Sequence, residues 1–340
     1  MIDISRATTN IQCILLQIFR HFGVLGNSVF FICSAWFLLK SKNWNKKKWL
    51  FMVIEIWVVS IVIFIITYII LHGNISIGII ISSLFPTTFG NNWYMTCYLL
   101  FYPIHPILNS IVNMMNQRQL FRSTLVMVFL YVFMNFINCS WFFSSAIILW
   151  ITIYFAIAYM QKYLMSFVDN IRENIILFII GVIGFIGIIL ITDICGLYSQ
   201  VLSDKVMRWV NNCNPFLLAM SIAMFNIARN IHFKNRFINY ISKLSLLIYI
   251  IHENIILRTY FRPAMWNYVY KRFGYSDVIQ WVFIISFIIF IFGILCSILY
   301  VLTLQRFVNK VSGKLYEVVR IKYLLFEKFC LMIGEKKDNR

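Results

Sequence analysis

The chain has 340 residues, of which 61% are hydrophobic and 12% are charged, and its formal net charge is +18. A water-soluble protein of this length has too little interior to bury so much apolar surface, which excludes a soluble globular domain. The excess of basic residues is typical of the cytoplasmic loops of a membrane protein, not of a nucleic-acid site. The composition therefore predicts an all-α, polytopic helix bundle whose partner is the lipid bilayer and not a nucleic acid.

Nine uncharged or nearly uncharged runs are long enough to cross the hydrocarbon core as helices. We place them at residues 22–39, 49–71, 93–112, 123–139, 142–160, 174–193, 213–228, 240–257 and 278–304. Within 72–92, the apolar stretch ISIGIIISSLF has 11 residues, too few to cross, and is interpreted as an interfacial or re-entrant piece. We expect residues 1–340 to form one membrane domain with a basic, partly amphipathic tail at about 305–340.

The loop after the first run sets the predicted orientation. FGVLGNSVFFICSAWFLL, residues 22–39, is followed by five lysines within KSKNWNKKK. Segments on the side of this loop hold 21 Lys and Arg, and segments on the other side hold 8. By the positive-inside rule, the first run crosses the cell membrane from outside to inside, and the C-terminus lies in the cytoplasm. Residues 1–21 are expected outside, as neither a signal peptide nor a span.

His252 is the candidate base suggested by the residues themselves. It lies inside a predicted span, in SLLIYIIHENIILR, with Glu253 beside it and Tyr249 one helical turn earlier. An ionisable residue within a span is costly and is often retained for function, so this histidine could relay a proton or orient a hydroxyl. The alternative is a structural histidine that forms hydrogen bonds between helices.

A second intramembrane histidine, His105, lies between Pro103 and Pro106 in NNWYMTCYLLFYPIHPILN. The prolines remove backbone donors and predict a kink that could open a cavity. Alternatively, the imidazole satisfies carbonyl groups that the prolines leave free. Trp93 and Tyr94, at the start of the same helix, suit either an interfacial anchor or a platform on which a sugar stacks.

The lysine cluster allows two interpretations. Lys40, Lys42 and the adjacent Lys46, Lys47 and Lys48 could hold a polyphosphate by charge, or could be a topology signal alone. The eight cysteines form no C-x-x-C pair, so neither a metal site nor a disulfide framework is predicted. The chain contains no G-x-S-x-G, P-loop, H-E-x-x-H or G-x-G-x-x-G motif, which excludes the usual soluble active sites.

Three segments carry motifs that occur together in one family. GNSVFFICSAWFLLKS resembles the pattern G-x-x-x-F-F-x-x-S-G-[FY]-[FL]-L before a basic loop. NNWYMTCYLLFYPIHPILN is similar to a W-[FY]-x-x-[YL] entry with a P-x-L-N ending, matched by Trp93, Tyr94, Pro106, Leu108 and Asn109. NYISKLSLLIYIIHENIILR follows [ST]-x-x-[IV]-Y-[LI]-I-H-[DE]-N. In this order, over residues 26–258, they resemble the acyltransferase 3 family of integral membrane O-acyltransferases, in particular members that acetylate bacterial cell-surface polysaccharides.

The resemblance implies a ten-helix bundle that takes an acyl group, usually acetyl, from coenzyme A on the cytoplasmic side. The acceptor would be a hydroxyl of a cell-surface polysaccharide or of its lipid-linked precursor. The basic loop would hold the coenzyme A phosphates through Lys46, Lys47 and Lys48.

The resemblance also distributes the remaining candidates between two roles. The expected catalytic residues are His252, Glu253 and Tyr249. The expected acceptor-binding residues are Asn27, Trp93, Tyr94 and His105.

Two departures from the family pattern bear on activity. Ala35 replaces the usual glycine of the first motif, and no segment matches the R-x-x-A…H pattern of the family's first helix, whose histidine is thought to be the general base. With nine runs in place of ten helices, the missing helix is expected to be the first. Two alternatives remain: an inactive, truncated relative of such an enzyme, and a polysaccharide flippase or polymerase. A polymerase usually has a long outer loop and a flippase usually has two related halves, and the sequence shows neither feature.

Overall fold

The computed structural model describes residues 10–90, 92–137, 145–196 and 213–338. These residues form helices and connecting turns, with no β-strand among them. The helices in chain order are α1 (Asn10–Leu38), α2 (Lys46–Ile70), α3 (Ile77–Leu84), α4 (Trp93–Met114), α5 (Gln117–Met127), α6 (Met134–Ile137), α7 (Ala146–Tyr163), α8 (Met165–Asp169), α9 (Ile171–Gly196), α10 (Pro215–Asn230), α11 (Arg236–His252), α12 (Arg262–Phe273), α13 (Val278–Thr303) and α14 (Gln305–Asp338). Two π-helical segments, Val128–Phe133 and Leu257–Phe261, join α5 to α6 and lead into α12. The predicted all-helical bundle is confirmed for these residues.

Seven helical segments of the described chain are long and apolar enough to cross a membrane. They are Ile14–Leu38, Lys46–Ile70, Trp93–Met114, Gln117–Phe136, Ala146–Tyr163, Ile171–Ile194 and Val278–Thr303. An eighth arises if α11 and Leu257–Phe273 are one span, broken by a 67° bend. Of the nine predicted spans, the run 213–228 corresponds to α10, which has only 16 residues. A helix of 16 residues is ~24 Å long, which is less than the roughly 30 Å thickness of the hydrocarbon core of a bilayer. Parts of the predicted spans 123–139 and 142–160 and of the loop 194–212 lie outside the described residues.

The first helix begins well before its predicted start at residue 22. Near its beginning, Gln12 donates hydrogen bonds to the carbonyl oxygens of Tyr275 and Ser276, at 2.9 and 3.1 Å. One turn further on, Gln17 donates to the carboxylate of Asp193 at 3.1 Å. Because protein groups satisfy these side-chain amides, the polar residues do not end the helix. The prediction that residues 10–21 lie outside the first helix was therefore wrong.

The chain divides into two compact units. Apart from the undescribed residues, the first comprises Met1–Trp44, Leu100–Asn235 and Ala264–Ile284, and the second comprises Asn45–Leu99, Arg236–Pro263 and Ile285–Arg340. The assignment of all 340 residues to one domain stays a prediction.

In the first unit, α1 and α9 both pack against α10. Two glycines of α9 allow the closest approach. A Cβ atom added at Gly184 would lie 2.2 Å from Cδ1 of Phe216, and one added at Gly181 would lie 2.5 Å from Cγ of Met220. Small residues of this kind let membrane helices pack tightly where the hydrophobic effect contributes little.

In the second unit, α2 packs against α3, α11 and α14. The side chains of Trp57 and Ser60 donate hydrogen bonds to the carbonyl oxygens of Leu84 and Ser83, at 2.8 and 2.9 Å. These bonds hold α3 against the longer helix. With eight residues, α3 is too short to cross, as predicted for this segment. The tail beyond residue 305 is helical, as predicted, and its place on the inner membrane face stays a prediction.

The contact between α9 and α10 gives a first testable prediction. Gly184→Val should lower the free energy of unfolding by about 1–3 kcal/mol, because the new side chain collides with Phe216. The midpoint of thermal unfolding in detergent measures the effect. Gly187→Val is the matched control, since a Cβ atom there meets nothing within 4 Å. Equal midpoints for the two variants would contradict the packing described.

Candidate active site

The candidate active site lies where a helix of the second unit is interrupted. α11 ends at His252, and the chain turns through Glu253 and Asn254 before helical structure resumes. The buried Asn254 side chain accepts a hydrogen bond from the backbone N–H of Ile256 at 3.0 Å, which caps the next segment. The prediction of one continuous helix over 240–257 was therefore wrong, because this asparagine starts a new helical segment.

Two arginines flank the carboxylate of Glu253. Nη2 of Arg262 lies 2.8 Å from Oε1, and Nη1 of Arg258 lies 3.6 Å from Oε2. The same nitrogen of Arg262 also donates a hydrogen bond to the carbonyl oxygen of His252. The last carbonyl groups of a helix have no partner within it. Arg262 thus satisfies the end of α11 and fixes the carboxylate beside it.

The backbone of its own helix orients the imidazole of His252. Nδ1 lies 2.8 Å from the carbonyl oxygen of Ile248, and because a carbonyl oxygen can only accept, Nδ1 carries a proton. In the neutral ring, Nε2 then has a free lone pair. Nε2 lies 3.6 Å from Oε1 of Glu253, so a proton taken up there produces an imidazolium beside a carboxylate. This is the arrangement of a general base.

Aromatic side chains predicted for the site lie next to it. The ring centroids of Tyr249 and His252 are 5.6 Å apart, and those of Tyr94 and Tyr249 are 5.5 Å apart. Trp93 continues the series, with its ring 5.8 Å from that of Tyr94. The structure thus brings together the three predicted catalytic residues and two of the four predicted acceptor-binding residues.

A cavity of about 450 Å³ extends along α11 from this site. It is lined by Ile238, Ile241, Ser242, Ser245, Ile248, Tyr249, His252 and Phe290. Seven of these residues lie on α11 at intervals of one or three residues, so one face of the helix forms a wall. Three hydroxyl groups lie along that wall on the way to the imidazole.

Lys46, Lys47 and Lys48 form the exposed first turn of α2. The side chain of Asn45 caps this turn by accepting a hydrogen bond from the backbone N–H of Lys48 at 2.9 Å. Cations are unfavourable at the positive end of a helix dipole, and the lysines and the dipole together attract anions. The arrangement can hold phosphate groups. No group of three potential metal ligands occurs in the described part of the chain.

His105 and Asn27 belong to the first unit. His105 is fully buried, and its Nδ1 donates a hydrogen bond to the carbonyl oxygen of Tyr102. Pro106 has no N–H with which to bond that carbonyl. The structural interpretation accounts for this hydrogen bond, whereas Nε2 is buried without a partner among the described residues. The part of His105 in acceptor binding stays a prediction. Asn27 is half-buried on α1, and its part also stays a prediction.

The sequence reasoning overlooked Glu55. This glutamate lies within α2, is 4% exposed, and has its carboxyl group beside the phenol of Tyr300. A single carboxylate inside a long apolar run was the available signal.

A buried polar cluster at the end of α1 was also overlooked. Asn109 donates hydrogen bonds to the carbonyl oxygens of Leu38 and Ser41, at 3.0 and 2.8 Å, and accepts one from Tyr154 at 2.5 Å. Asn109 thereby fixes the start of the basic loop. Its place in the P-x-L-N motif was the available signal.

The two arginines around Glu253 are expected to differ in their contribution to stability. Arg262→Met removes the partners of the carboxylate and of a helix-end carbonyl, and should cost about 1–3 kcal/mol in local stability. Arg258→Met should cost less than about 0.5 kcal/mol, because its side chain is 41% exposed and its contact is long. Hydrogen exchange of backbone amides 250–256 measures both variants. Equal exchange rates in the two would contradict this assignment.

The family follows from comparison with known proteins. Residues 5–308 match a family model described as an acyltransferase domain, a range that contains every candidate residue. Comparisons with curated proteins and with solved structures gave no match. The family match covers most of the chain and agrees with the three motifs and the helical bundle. The chain therefore belongs to the acyltransferase 3 family and is a multi-pass membrane acyltransferase.

Proposed function

We propose that this protein is an O-acetyltransferase that moves the acetyl group of acetyl-CoA to a hydroxyl of a cell-surface polysaccharide or of its lipid-linked precursor. The observation that carries the proposal is the imidazole of His252, with a free Nε2 lone pair 3.6 Å from the carboxylate of Glu253, at one end of a cavity. Acyl transfer to a sugar needs such a base, because a neutral hydroxyl is a weak nucleophile.

Proton transfer through His252 accounts for the reaction. Nε2 takes the proton of the sugar hydroxyl while its oxygen bonds to the carbonyl carbon of the thioester. The carboxylate of Glu253 stabilises the imidazolium that forms. The carbon–sulfur bond then breaks, and Nε2 returns the proton to the departing thiolate. Because Nδ1 stays bonded to Ile248, the ring keeps its orientation throughout.

The donor would be held by the lysines at the start of α2. In the second unit, Asn254 Nδ2 lies 3.5 Å from Ser60 Oγ, which marks where the break next to His252 meets α2. Ser60 is thirteen residues beyond Lys47, or ~20 Å along the helix axis. An extended pantetheine arm is comparable in length. Phosphates bound at Lys46, Lys47 and Lys48 would therefore leave the thioester within reach of the imidazole.

The acceptor would enter from the side of the aromatic residues. Trp93, which is partly exposed, would offer a ring face on which a sugar stacks, and the buried Tyr94 connects it to Tyr249 beside the base. The positive-inside rule puts the lysines in the cytoplasm, the base toward the outer face of the cell membrane, and the C-terminus in the cytoplasm. The donor and the acceptor would thus approach the site from opposite sides.

The first prediction for this function concerns the base. His252→Gln should lower kcat for acetyl transfer at least about 100-fold, because it removes the imidazole that takes the hydroxyl proton. Purified protein in detergent is supplied with acetyl-CoA and with the polysaccharide or its lipid-linked precursor, and O-acetyl groups are counted by NMR. His232→Gln, in an exposed loop, is the control and should keep wild-type activity. Full activity of His252→Gln would refute its essential role. Wild-type protein that binds acetyl-CoA without turnover would favour the inactive relative.

The second prediction concerns the donor. Replacing Lys46, Lys47 and Lys48 together by alanine should raise KM for acetyl-CoA by about tenfold or more and leave kcat nearly unchanged, since the lysines hold the part of the donor that does not react. The same triple change should matter less for the acetyl thioester of dephospho-coenzyme A, which lacks one phosphate.

A matched control comes from three exposed lysines of α14. Replacing Lys310, Lys314 and Lys322 by alanine removes the same charge and should leave KM unchanged. An equal rise in KM for both triple variants would show that only the overall charge matters, against a phosphate site at α2.

A further inference from the structure

The cavity beside His252 is a long groove. Its wall on α11 runs from Ile238 to His252, fourteen residues apart, which is ~21 Å along the helix axis. On the other side, Gly293 of α13 brings the two helices together, since a Cβ atom there would lie 3.0 Å from Cγ2 of Ile248. Phe290, one turn earlier on α13, lines the groove. The groove is therefore suited to a linear chain.

The surface of the groove is almost entirely apolar. Ile238, Ile241, Ile248 and Phe290 supply most of it, and Ile238 and Phe290 are 49% and 44% exposed. The hydroxyl of Ser242 is engaged with the carbonyl oxygen of Ile238 in its own helix, at 2.8 Å. A chain of amides would leave its polar groups without partners here, whereas a hydrocarbon chain would not.

The end of the groove at His252 carries an excess of positive charge. Arg258 and Arg262 surround one carboxylate, that of Glu253, so the cluster has one positive charge to spare. Arg262 is engaged at 2.8 Å. Arg258 approaches Glu253 only to 3.6 Å, its side chain is 41% exposed, and its guanidinium makes no hydrogen bond to the described residues. Its donors are free to bind an anion, and a guanidinium matches a phosphate in geometry.

We propose that the acceptor is a saccharide carried on a lipid phosphate, with the hydrocarbon chain in this groove and the phosphate on Arg258. An apolar chain joined to an anion is what an apolar groove with a cationic end fits. The chain follows α11 into the hydrocarbon core, and the saccharide lies beside His252, Tyr94 and Trp93. This inference rests on the proposed acyl transfer and selects the lipid-linked acceptor over the finished polymer.

Binding of undecaprenyl phosphate to the full chain in nanodiscs tests the proposal without any chemistry. Wild type should bind it more tightly than undecaprenol, which lacks the phosphate. Arg258→Gln should weaken binding of undecaprenyl phosphate about tenfold and leave undecaprenol unchanged. Ser245→Trp fills the groove and should weaken both. Phe287→Trp, on an exposed part of α13 outside the groove, should weaken neither.

The remaining outcomes separate this proposal from its rivals. Unchanged binding by Arg258→Gln and Ser245→Trp would overturn it, as would equal competition by phosphatidylglycerol, which would show a groove for bulk lipid. Stronger competition by palmitoyl-CoA would assign the groove to the donor and also overturn it. Because this binding is measured without acetyl-CoA, its failure is distinguishable from a loss of acetyl transfer, which tests the proposed function separately.

Discussion

The ion pair between Glu253 and Arg262 is the interaction on which the candidate site depends. A helix interrupted at membrane depth leaves carbonyl groups without partners, and such groups are costly in an apolar environment. Arg262 bonds the carbonyl at the end of α11 and the carboxylate of the next residue together. The break is therefore stable, and the imidazole at its edge has a fixed direction and a fixed counter-charge.

The need to give every buried carbonyl group a hydrogen-bond donor also explains polar contacts along α4. Pro103 removes the backbone donor for the carbonyl of Leu99, and the indole N–H of Trp49 takes its place at 2.8 Å. Pro106 does the same for the carbonyl of Tyr102, which bonds the imidazole of His105. In each case a side chain replaces a lost backbone donor. The bond from Nδ1 of the buried His105 is thus explained by structure, whereas His252 has a nitrogen directed at a carboxylate.

Much of the fold and of the candidate site could be predicted from the sequence, and the predictions that were wrong have physical causes. Long apolar runs gave the helices, and three motifs gave the family, because both signals lie in consecutive residues. The start of α1 was missed because Gln12 and Gln17 find partners more than 170 residues away. The break after His252 was missed because its cap is one asparagine within an apolar run. Arg258 and Arg262 were counted as topology charges, since only the fold brings them to Glu253.

The protonation of the His252 ring tests the central claim most directly. Nitrogen NMR of the protein labelled with ¹⁵N-histidine, with His252→Gln to assign the signal, distinguishes the two neutral tautomers. A hydrogen bond from Nδ1 to the carbonyl of Ile248 predicts a proton on Nδ1 and a bare Nε2 in the neutral ring. A proton found on Nε2 in the neutral ring would contradict the account, because the nitrogen facing Glu253 would then be unable to act as the base.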